Sequence, residues 1–186
     1  MNLNVWILLV ALGYLLLQYL YHYLFTPLLF HHVRVIDGDT FVWTQRGLQE
    51  RIRLLYIDAP ELSQFYGPEA KDVLEIILLT CDAISCPLVC DRKTYSDVYG
   101  RTLASCKIAD MDISGMMVGS GAAIPYRVPV GSHSFYDGLL QTAKRDKAGM
   151  WIRPPETVMD PAVYRATQKE FKRDEKRKTN KRSLYV

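Results

Sequence analysis

Three short polar stretches of the chain contain the residue types that a metal-dependent phosphodiesterase needs. They are Asp37-Gly38-Asp39-Thr40, the run from Arg53 through Asp58 to Glu61, and Tyr99-Gly100-Arg101. Carboxylate oxygens bind hard cations such as calcium, and one further carboxylate can act as the base for an attacking water. Guanidinium groups fit the geometry of a phosphate and remain protonated. Together the three stretches favour cleavage of a nucleic-acid backbone.

Each stretch by itself also has an ordinary structural explanation. Asp and Gly are common in tight hairpin turns for backbone reasons. Arg53 fits a surface position in a strand, and Tyr99-Gly100-Arg101 fits a turn before a strand. The chemical interpretation depends on their combination, because the stretches fall at the ends of consecutive predicted strands, where side chains converge at the rim of a small barrel.

The elements that position these residues follow from the hydrophobic pattern. Apolar and alternating runs predict five strands, at residues 33–36, 41–44, 51–57, 87–91 and 103–108. Helices are predicted from Pro68, over residues 112–119, and from Ser132 to about Lys147. A polar connection, residues 92–100, joins the last two strands. The pattern predicts an α+β fold: a closed five-stranded barrel of the oligonucleotide-binding (OB) type with three helices.

The order and spacing of these motifs resemble the staphylococcal-nuclease-like (thermonuclease) domain over about residues 33–152. The segments that carry the resemblance are Val35-Ile36-Asp37-Gly38-Asp39-Thr40, Arg53-Leu54-Leu55, Ile57-Asp58-Ala59-Pro60-Glu61, Tyr66-Gly67-Pro68-Glu69-Ala70, Asp97-Val98-Tyr99-Gly100-Arg101 and Gly149-Met150-Trp151. The resemblance implies a five-stranded barrel with three helices. It also implies Ca²⁺-dependent endonucleolytic hydrolysis of DNA and RNA phosphodiesters with little sequence specificity.

The resemblance also implies a metal site. Asp39 and Asp58 would be the carboxylate ligands of Ca²⁺, and Ala59 would contribute its backbone carbonyl. Many relatives have threonine at the position of Ala59, so this chain retains the carbonyl there and lacks a hydroxyl. Two carboxylates, a carbonyl and waters suit calcium, which tolerates irregular oxygen cages.

The catalytic roles carried over by the resemblance fall on three residues. Glu61 would be the general base for the attacking water, while Arg53 and Arg101 would bind the phosphate and stabilise the transition state. Two aromatic residues, Tyr99 and Tyr126, are candidate stacking surfaces for a nucleotide; half-buried packing is the competing explanation for both.

Two other classes of function remain open. The same barrel could be a non-catalytic module that binds nucleic acid or acts as a scaffold, in which case an oligonucleotide would bind without being cleaved. The chain could instead be a membrane adaptor whose C-terminal tail binds a protein. No obligate protein partner is evident in the sequence, and a monomer is predicted.

The N-terminal segment predicts a membrane anchor. Residues 1–33 contain no Lys, Arg, Asp or Glu, and residues 5–30 are almost continuously apolar or aromatic. Roughly 20 such residues are enough to span a bilayer as a helix. A cleaved signal peptide fits less well, because no basic residue precedes the apolar run and no small-residue cleavage site follows it. The chain is therefore predicted to be a single-pass membrane protein, with Arg34 weakly favouring a cytoplasmic domain.

The sequence divides into an anchor (residues 1–30), a nuclease-like domain (residues 31–153) and a basic tail (residues 154–186). The net charge is +3, yet residues 168–182 carry eight basic against three acidic side chains, which leaves the rest of the chain at −2. Attraction to a nucleic-acid backbone must therefore come from local cations, a bound metal or the tail. The default for the tail is a solvated segment, with a helix possible over residues 162–178.

The four cysteines do not form a metal-binding pattern. Cys90 and Cys106 lie in predicted strands and are interpreted as small buried apolar residues. Cys81 and Cys86 could form a disulfide if the domain faces an oxidising compartment.

Overall fold

The structure is a computed structural model that describes residues 13–14, 16–17, 20, 32–45, 47–83 and 88–183. Eight strands and four α-helices lie in the last three of these ranges. In chain order they are β1 (His32–Asp37), β2 (Thr40–Gln45), β3 (Leu48–Leu54), β4 (Ile57–Asp58), α1 (Gly67–Ala83), β5 (Leu88–Ser96), β6 (Thr102–Ile108), β7 (Met111–Asp112), α2 (Ile113–Gly119), β8 (Ile124–Pro125), α3 (His133–Arg145) and α4 (Pro161–Ser183).

Most of the strands form one sheet in the order β1-β2-β3-β6-β5, and β7 pairs with β6. The neighbours β1/β2, β2/β3 and β5/β6 are antiparallel, whereas β3 and β6 are parallel. Thr40 pairs with Arg53 across β2 and β3, and Arg53 pairs with Leu103 across β3 and β6. This register brings the turn before β2, the end of β3 and the start of β6 to one end of the sheet.

The prediction of a closed five-stranded barrel is wrong for the described residues. β1 and β5 are the two edges of an open sheet, and β4 leaves it to form a separate two-stranded sheet with β8. The predicted strand 51–57 is interrupted by a bend at Leu55 and Tyr56, where Tyr56 adopts a left-handed conformation with φ of 69°. Residues other than glycine rarely adopt this backbone conformation, which turns the chain away from the direction of the strand.

The hydrophobic core lies between this sheet and the helices. Phe41 of β2 and Ile52 of β3 are fully buried and pair with each other across the two strands. Leu74 and Leu78 of α1 are one helical turn apart and are both buried. The edge strand β1 contacts α1.

Gly38 allows the turn between β1 and β2 to pack closely against this core. A Cβ atom at Gly38 would lie 2.7 Å from the Cβ of Ala59 and 2.9 Å from the Cβ of Ala70. Glycine is therefore required there by the close approach of two other segments. The turn that carries Asp39 is fixed to the start of α1 as a result.

The three predicted helices are confirmed as α1, α2 and α3, and the described residues include a fourth, which contains the helix considered for residues 162–178. α4 extends over Pro161–Ser183, so the tail is helical for most of its length. The predicted polar connection at 92–100 is shorter than expected, because β5 continues to Ser96. The interpretation of Cys90 and Cys106 as buried thiols is corrected: the two residues are paired across β5 and β6 and form a disulfide.

The predicted membrane helix, residues 5–30, lies mostly outside the described residues, as does Cys86. Within the part of the chain that the structure describes, no helix has both the length and the apolar character needed to cross a bilayer. The prediction of a single-pass membrane protein is corrected on this finding.

Candidate active site

Asp39 lies in the turn between β1 and β2 and is buried. Its backbone N–H donates to Oδ1 of Asp37 at 3.1 Å, which shapes the turn. The hydroxyl of Thr40 donates to one of its carboxylate oxygens at 2.9 Å, and the backbone N–H of Ala59 donates to the other at 3.0 Å. The carboxylate is thereby fixed between the turn and the segment after β4.

Arg53 is the centre of the site, because its guanidinium joins two buried carboxylates. Nη1 lies 2.9 Å from Oδ2 of Asp39, and Nη2 donates to Oδ1 of Asp58 at 2.9 Å. Nη1 also donates to the carbonyl oxygens of Leu54 and Ile57, at 3.0 and 3.1 Å. Arg53 is only 9 % exposed. It is therefore not a surface residue of the strand, which was the alternative explanation for Arg53 considered alone.

The carboxyl group of Asp39 is difficult to ionise in this setting. Burial is the largest cause and, despite the opposing effect of Arg53 and of the hydrogen bond from Ala59, it raises the pKa of Asp39 from 3.8 to about 7. The negative charges of Asp37 and Asp58 contribute to this increase in the pKa. A divalent cation would favour the ionised form of such a carboxyl group, so the donor chemistry fits calcium at this position.

Arg101 lies on the other side of Asp39 and reaches it through a hydroxyl. Its Nη1 donates to Oγ1 of Thr40 at 3.2 Å, and that hydroxyl in turn donates to Asp39. Asp97 holds the opposite edge of the guanidinium, with contacts of 2.8 Å from Nε and 2.7 Å from Nη2. Burial by itself would raise the pKa of Asp97, but hydrogen bonds from Arg101 and from the N–H of Tyr99 lower it.

The loop between β4 and α1 carries Glu61, whose side chain is 39 % exposed. Its backbone is tied to Gln64 in both directions, since Gln64 N–H donates to the Glu61 carbonyl at 2.8 Å and Glu61 N–H donates to Gln64 Oε1 at 3.3 Å. A Cβ at Gly67 would lie 1.9 Å from the Glu61 carbonyl oxygen. Only glycine allows α1 to begin this close to the loop.

Arg165 of α4 completes the cluster, although no motif in the sequence pointed to it. Its Nη1 donates to Oδ1 of Asp58 at 3.1 Å and to Oε1 of Glu61 at 2.9 Å. Its Nη2 donates to Oδ2 of Asp58 at 2.7 Å. The bond to Asp58, followed by that to Glu61, raises the pKa of Arg165 above its usual range. The guanidinium therefore bridges the residues predicted as metal ligand and general base.

The two candidate stacking tyrosines are placed differently. Tyr99 is 69 % exposed and lies beneath the guanidinium of Arg101, 5.4 Å from its ring centre. Tyr126 follows β8, which pairs with β4 next to Asp58, and its ring is covered by Arg127 at 5.1 Å. Tyr99 is thus joined to the cluster through Arg101, whereas no contact described here joins the Tyr126 side chain to the carboxylates.

The structure therefore brings the predicted catalytic and metal-ligand residues into one continuous network of contacts. Two details differ from the expected calcium cage. Ala59 contacts Asp39 through its N–H, which is not the group predicted to bind the metal. In the described part of the chain, no group of three or more His, Cys, Asp or Glu side chains is arranged around one metal position. Asp39 and Asp58 both contact the guanidinium of Arg53.

Buried carboxylates and guanidiniums at one end of an open α+β sheet define a class of site suited to phosphate chemistry. Residues 51–153 match the model of the family described as staphylococcal nuclease homologue, and the chain belongs to this family. The match includes Arg53, Asp58, Glu61 and Arg101 and begins after Asp39.

Several relatives are named as nucleases. An uncharacterized endonuclease of Escherichia coli O157:H7 is 32 % identical over 120 residues, covering 64 % of this chain and 74 % of the relative. A micrococcal nuclease of Shigella flexneri is 28 % identical over 150 residues, covering 74 % and 80 %. A thermonuclease of Staphylococcus hyicus is 37 % identical over 78 residues, covering 39 % and 44 %.

Proposed function

We propose that this protein is a calcium-dependent endonuclease that hydrolyses phosphodiester bonds of DNA or RNA with little sequence specificity. One observation carries the proposal: Arg101, Thr40, Asp39, Arg53 and Asp58 form an unbroken series of hydrogen bonds and ion pairs. The series links three separate segments of the chain and places two cationic side chains on either side of a buried carboxylate. All of these groups come from one chain, in keeping with a monomer.

Asp39 and Asp58 are the side chains that would hold Ca²⁺, with the carbonyl of Ala59 as a further oxygen. When bound, the cation supplies positive charge that offsets the charge developing on the phosphate. The buried position of both aspartates keeps them fixed and limits competition from water. The hydrogen bonds from Thr40 and Ala59 orient Asp39 before any ligand binds.

Glu61 acts as the general base. It is the most exposed carboxylate of the cluster, so a water molecule can reach it from solvent. Arg101 presents its guanidinium to the phosphate while Asp97 holds the far edge of that group. Arg53 offsets the negative charge of the transition state. Its guanidinium is held in place by two carboxylates and two carbonyl oxygens. Such preorganised donors are commonly the largest contribution to catalysis.

Tyr99 provides a stacking surface for a nucleotide base beside Arg101. Its exposed ring can accept any base, because stacking does not read sequence. Tyr126 is the second proposed stacking residue, on the side of the site formed by β8. A surface of this kind supports binding without strong sequence preference.

The test is the hydrolysis of single-stranded DNA and RNA by the full chain, with calcium and with chelator, in the wild type and in Glu61→Gln. Loss of a general base is expected to lower turnover by about 10²–10⁴-fold. Glu69→Gln is the matched control: it makes the same chemical change at an exposed position in the first turn of α1.

Calcium-dependent cleavage that is lost in Glu61→Gln and retained in Glu69→Gln is the expected result. Full activity of Glu61→Gln would remove Glu61 from the mechanism. Tight binding of oligonucleotides with no cleavage, unaffected by chelator, would instead indicate a non-catalytic nucleic-acid-binding module.

A further inference from the structure

The C-terminal helix α4 is docked on the candidate active site through more than one contact. Tyr164 donates its hydroxyl to the backbone carbonyl of Ser63 at 2.9 Å and lies 3.0 Å from the Ser63 hydroxyl. Just before the helix, the carbonyl of Met159 accepts from Nε2 of Gln64 at 2.6 Å. Both partners belong to the loop that carries Glu61. The start of α4 is therefore a packed part of the fold, contrary to the default of a solvated tail.

The start of the helix is also fixed locally. Asp160 accepts from the backbone N–H of Ala162 at 2.7 Å, which caps the first turn. Pro161 at the first helical position is buried, and Val158 packs against the cluster that contains Trp151. These contacts aim the first turn of α4 at the loop between β4 and α1, and Arg165 follows one turn after Pro161.

Arg165 occupies the groups that the proposed reaction requires. Both carboxylate oxygens of Asp58 accept from its guanidinium, and Oδ1 accepts from Arg53 as well. Glu61 also accepts from Arg165, at 2.9 Å. An Asp58 oxygen that is shared by guanidiniums is a poor ligand for a second cation. A Glu61 oxygen that accepts a hydrogen bond from Arg165 is less available to a water molecule.

We propose that α4 is an internal inhibitor of the site: Arg165 competes with calcium for Asp58 and with the attacking water for Glu61. This inference rests on the proposed function, because it assigns an inhibitory contact to the same residues. The docked form binds calcium weakly, and the active form requires Arg165 to leave. The side chain of Arg165 is 37 % exposed, so it can leave without opening the core.

The fraction of molecules with Arg165 docked determines how strongly Arg165 weakens calcium binding. The apparent dissociation constant for calcium equals the intrinsic constant divided by the fraction of molecules that are competent to bind. If about 90 % of the molecules are docked, removal of Arg165 tightens calcium binding by roughly tenfold. The free-energy difference that this population requires is slightly smaller than the contribution of one typical charge-assisted hydrogen bond.

Calorimetric titration of the full chain with Ca²⁺ tests the competition without relying on activity. Arg165→Ala is expected to bind calcium about tenfold more tightly than the wild type. Tyr164→Phe loosens the docking without touching the site, so it should tighten binding by a smaller factor. Arg173→Ala is the control, because it removes the same charge from an exposed part of the same helix and should leave the affinity unchanged.

Each outcome bears on the proposal. Equal or weaker calcium binding by Arg165→Ala, or no binding by any variant, overturns it. An equal gain in calcium affinity in Arg173→Ala also overturns it, because the effect would then come from long-range charge alone.

Hydrolysis of single-stranded DNA, measured on the same proteins, separates the two proposals. A tenfold gain in affinity with no cleavage by any variant would reject the nuclease and keep the competition. Cleavage by Arg165→Ala below the wild type at saturating calcium would make Arg165 a contributor to catalysis and reject the inhibition.

Discussion

Replacing Arg53 with alanine tests whether this one side chain holds the candidate site together. The guanidinium lies between two buried carboxylates, at 2.9 Å from each, and also binds two backbone carbonyl oxygens. Its removal leaves Asp39 and Asp58 facing each other without their shared partner. Breaking a buried ion pair by removing one side typically costs about 3–5 kcal/mol. We expect a loss of this size for Arg53→Ala near pH 8.

The loss of folding stability caused by Arg53→Ala should be larger at high pH than at low pH. The pKa of Asp39 is raised to about 7 in the folded protein, so stability is lost as the pH rises from the unfolded value of 3.8 through that range. Arg53 opposes this shift, and without it the pKa of Asp39 rises further. Arg53→Ala is therefore expected to cost less near pH 5.5, where Asp39 is neutral in both proteins, than near pH 8.

Urea unfolding in the presence of chelator measures both effects. Asp39→Asn should partly restore the stability of Arg53→Ala at pH 8, with a coupling of about 0.5–3 kcal/mol. Arg145→Ala is the control for loss of a charge, because Arg145 is exposed and paired only with its neighbour Asp146 among the contacts described; its midpoint should not move. A loss below about 1 kcal/mol for Arg53→Ala, or an equal loss at both pH values, would refute the argument.

Two further predictions concern the scaffold. Gly38→Ala is expected to destabilise the protein by about 1–3 kcal/mol, because the new methyl group would overlap two alanine side chains that the turn packs against; an unchanged urea midpoint would contradict this packing. The Cys90–Cys106 disulfide links residues 16 apart, and its loss is expected to cost about 3 kcal/mol. Reductant should therefore lower the urea midpoint of the wild type and leave that of the double variant Cys90→Ala/Cys106→Ala unchanged. An equal change in midpoint for both proteins would argue against the disulfide.

The sequence was sufficient for the features that depend on nearby residues. Leu74 and Leu78 are four positions apart in the sequence, so a period of 3.6 residues per turn places both on one face of α1. Arg53 and Asp58 could be expected to meet, since a short strand end separates them. Asp39 could be expected near them because an Asp-Gly turn joins neighbouring strands. The chemical roles of these residues stay predictions.

The features that sequence reasoning missed depend on register and on distant contacts. The pattern of five short strands and three helices predicts a closed barrel, with residues 51–57 as one strand. In the structure the left-handed backbone at Tyr56 ends that strand, and β4 pairs with β8. The disulfide requires Cys90 to lie opposite Cys106, and that follows only from the pairing of β5 with β6. Periodicity contains no information about which residues of two strands face each other.

The amino-acid sequence by itself determined which residues could do chemistry and which local elements carry them, because residue type and helical or strand period are local properties. The tertiary structure decided how they are combined. It buried Asp39 between opposing charges, and it brought Arg165 across more than one hundred residues onto Glu61 and Asp58. A contact between such distant positions is set by the packing of α4 against the loop before α1, and no local pattern encodes that packing.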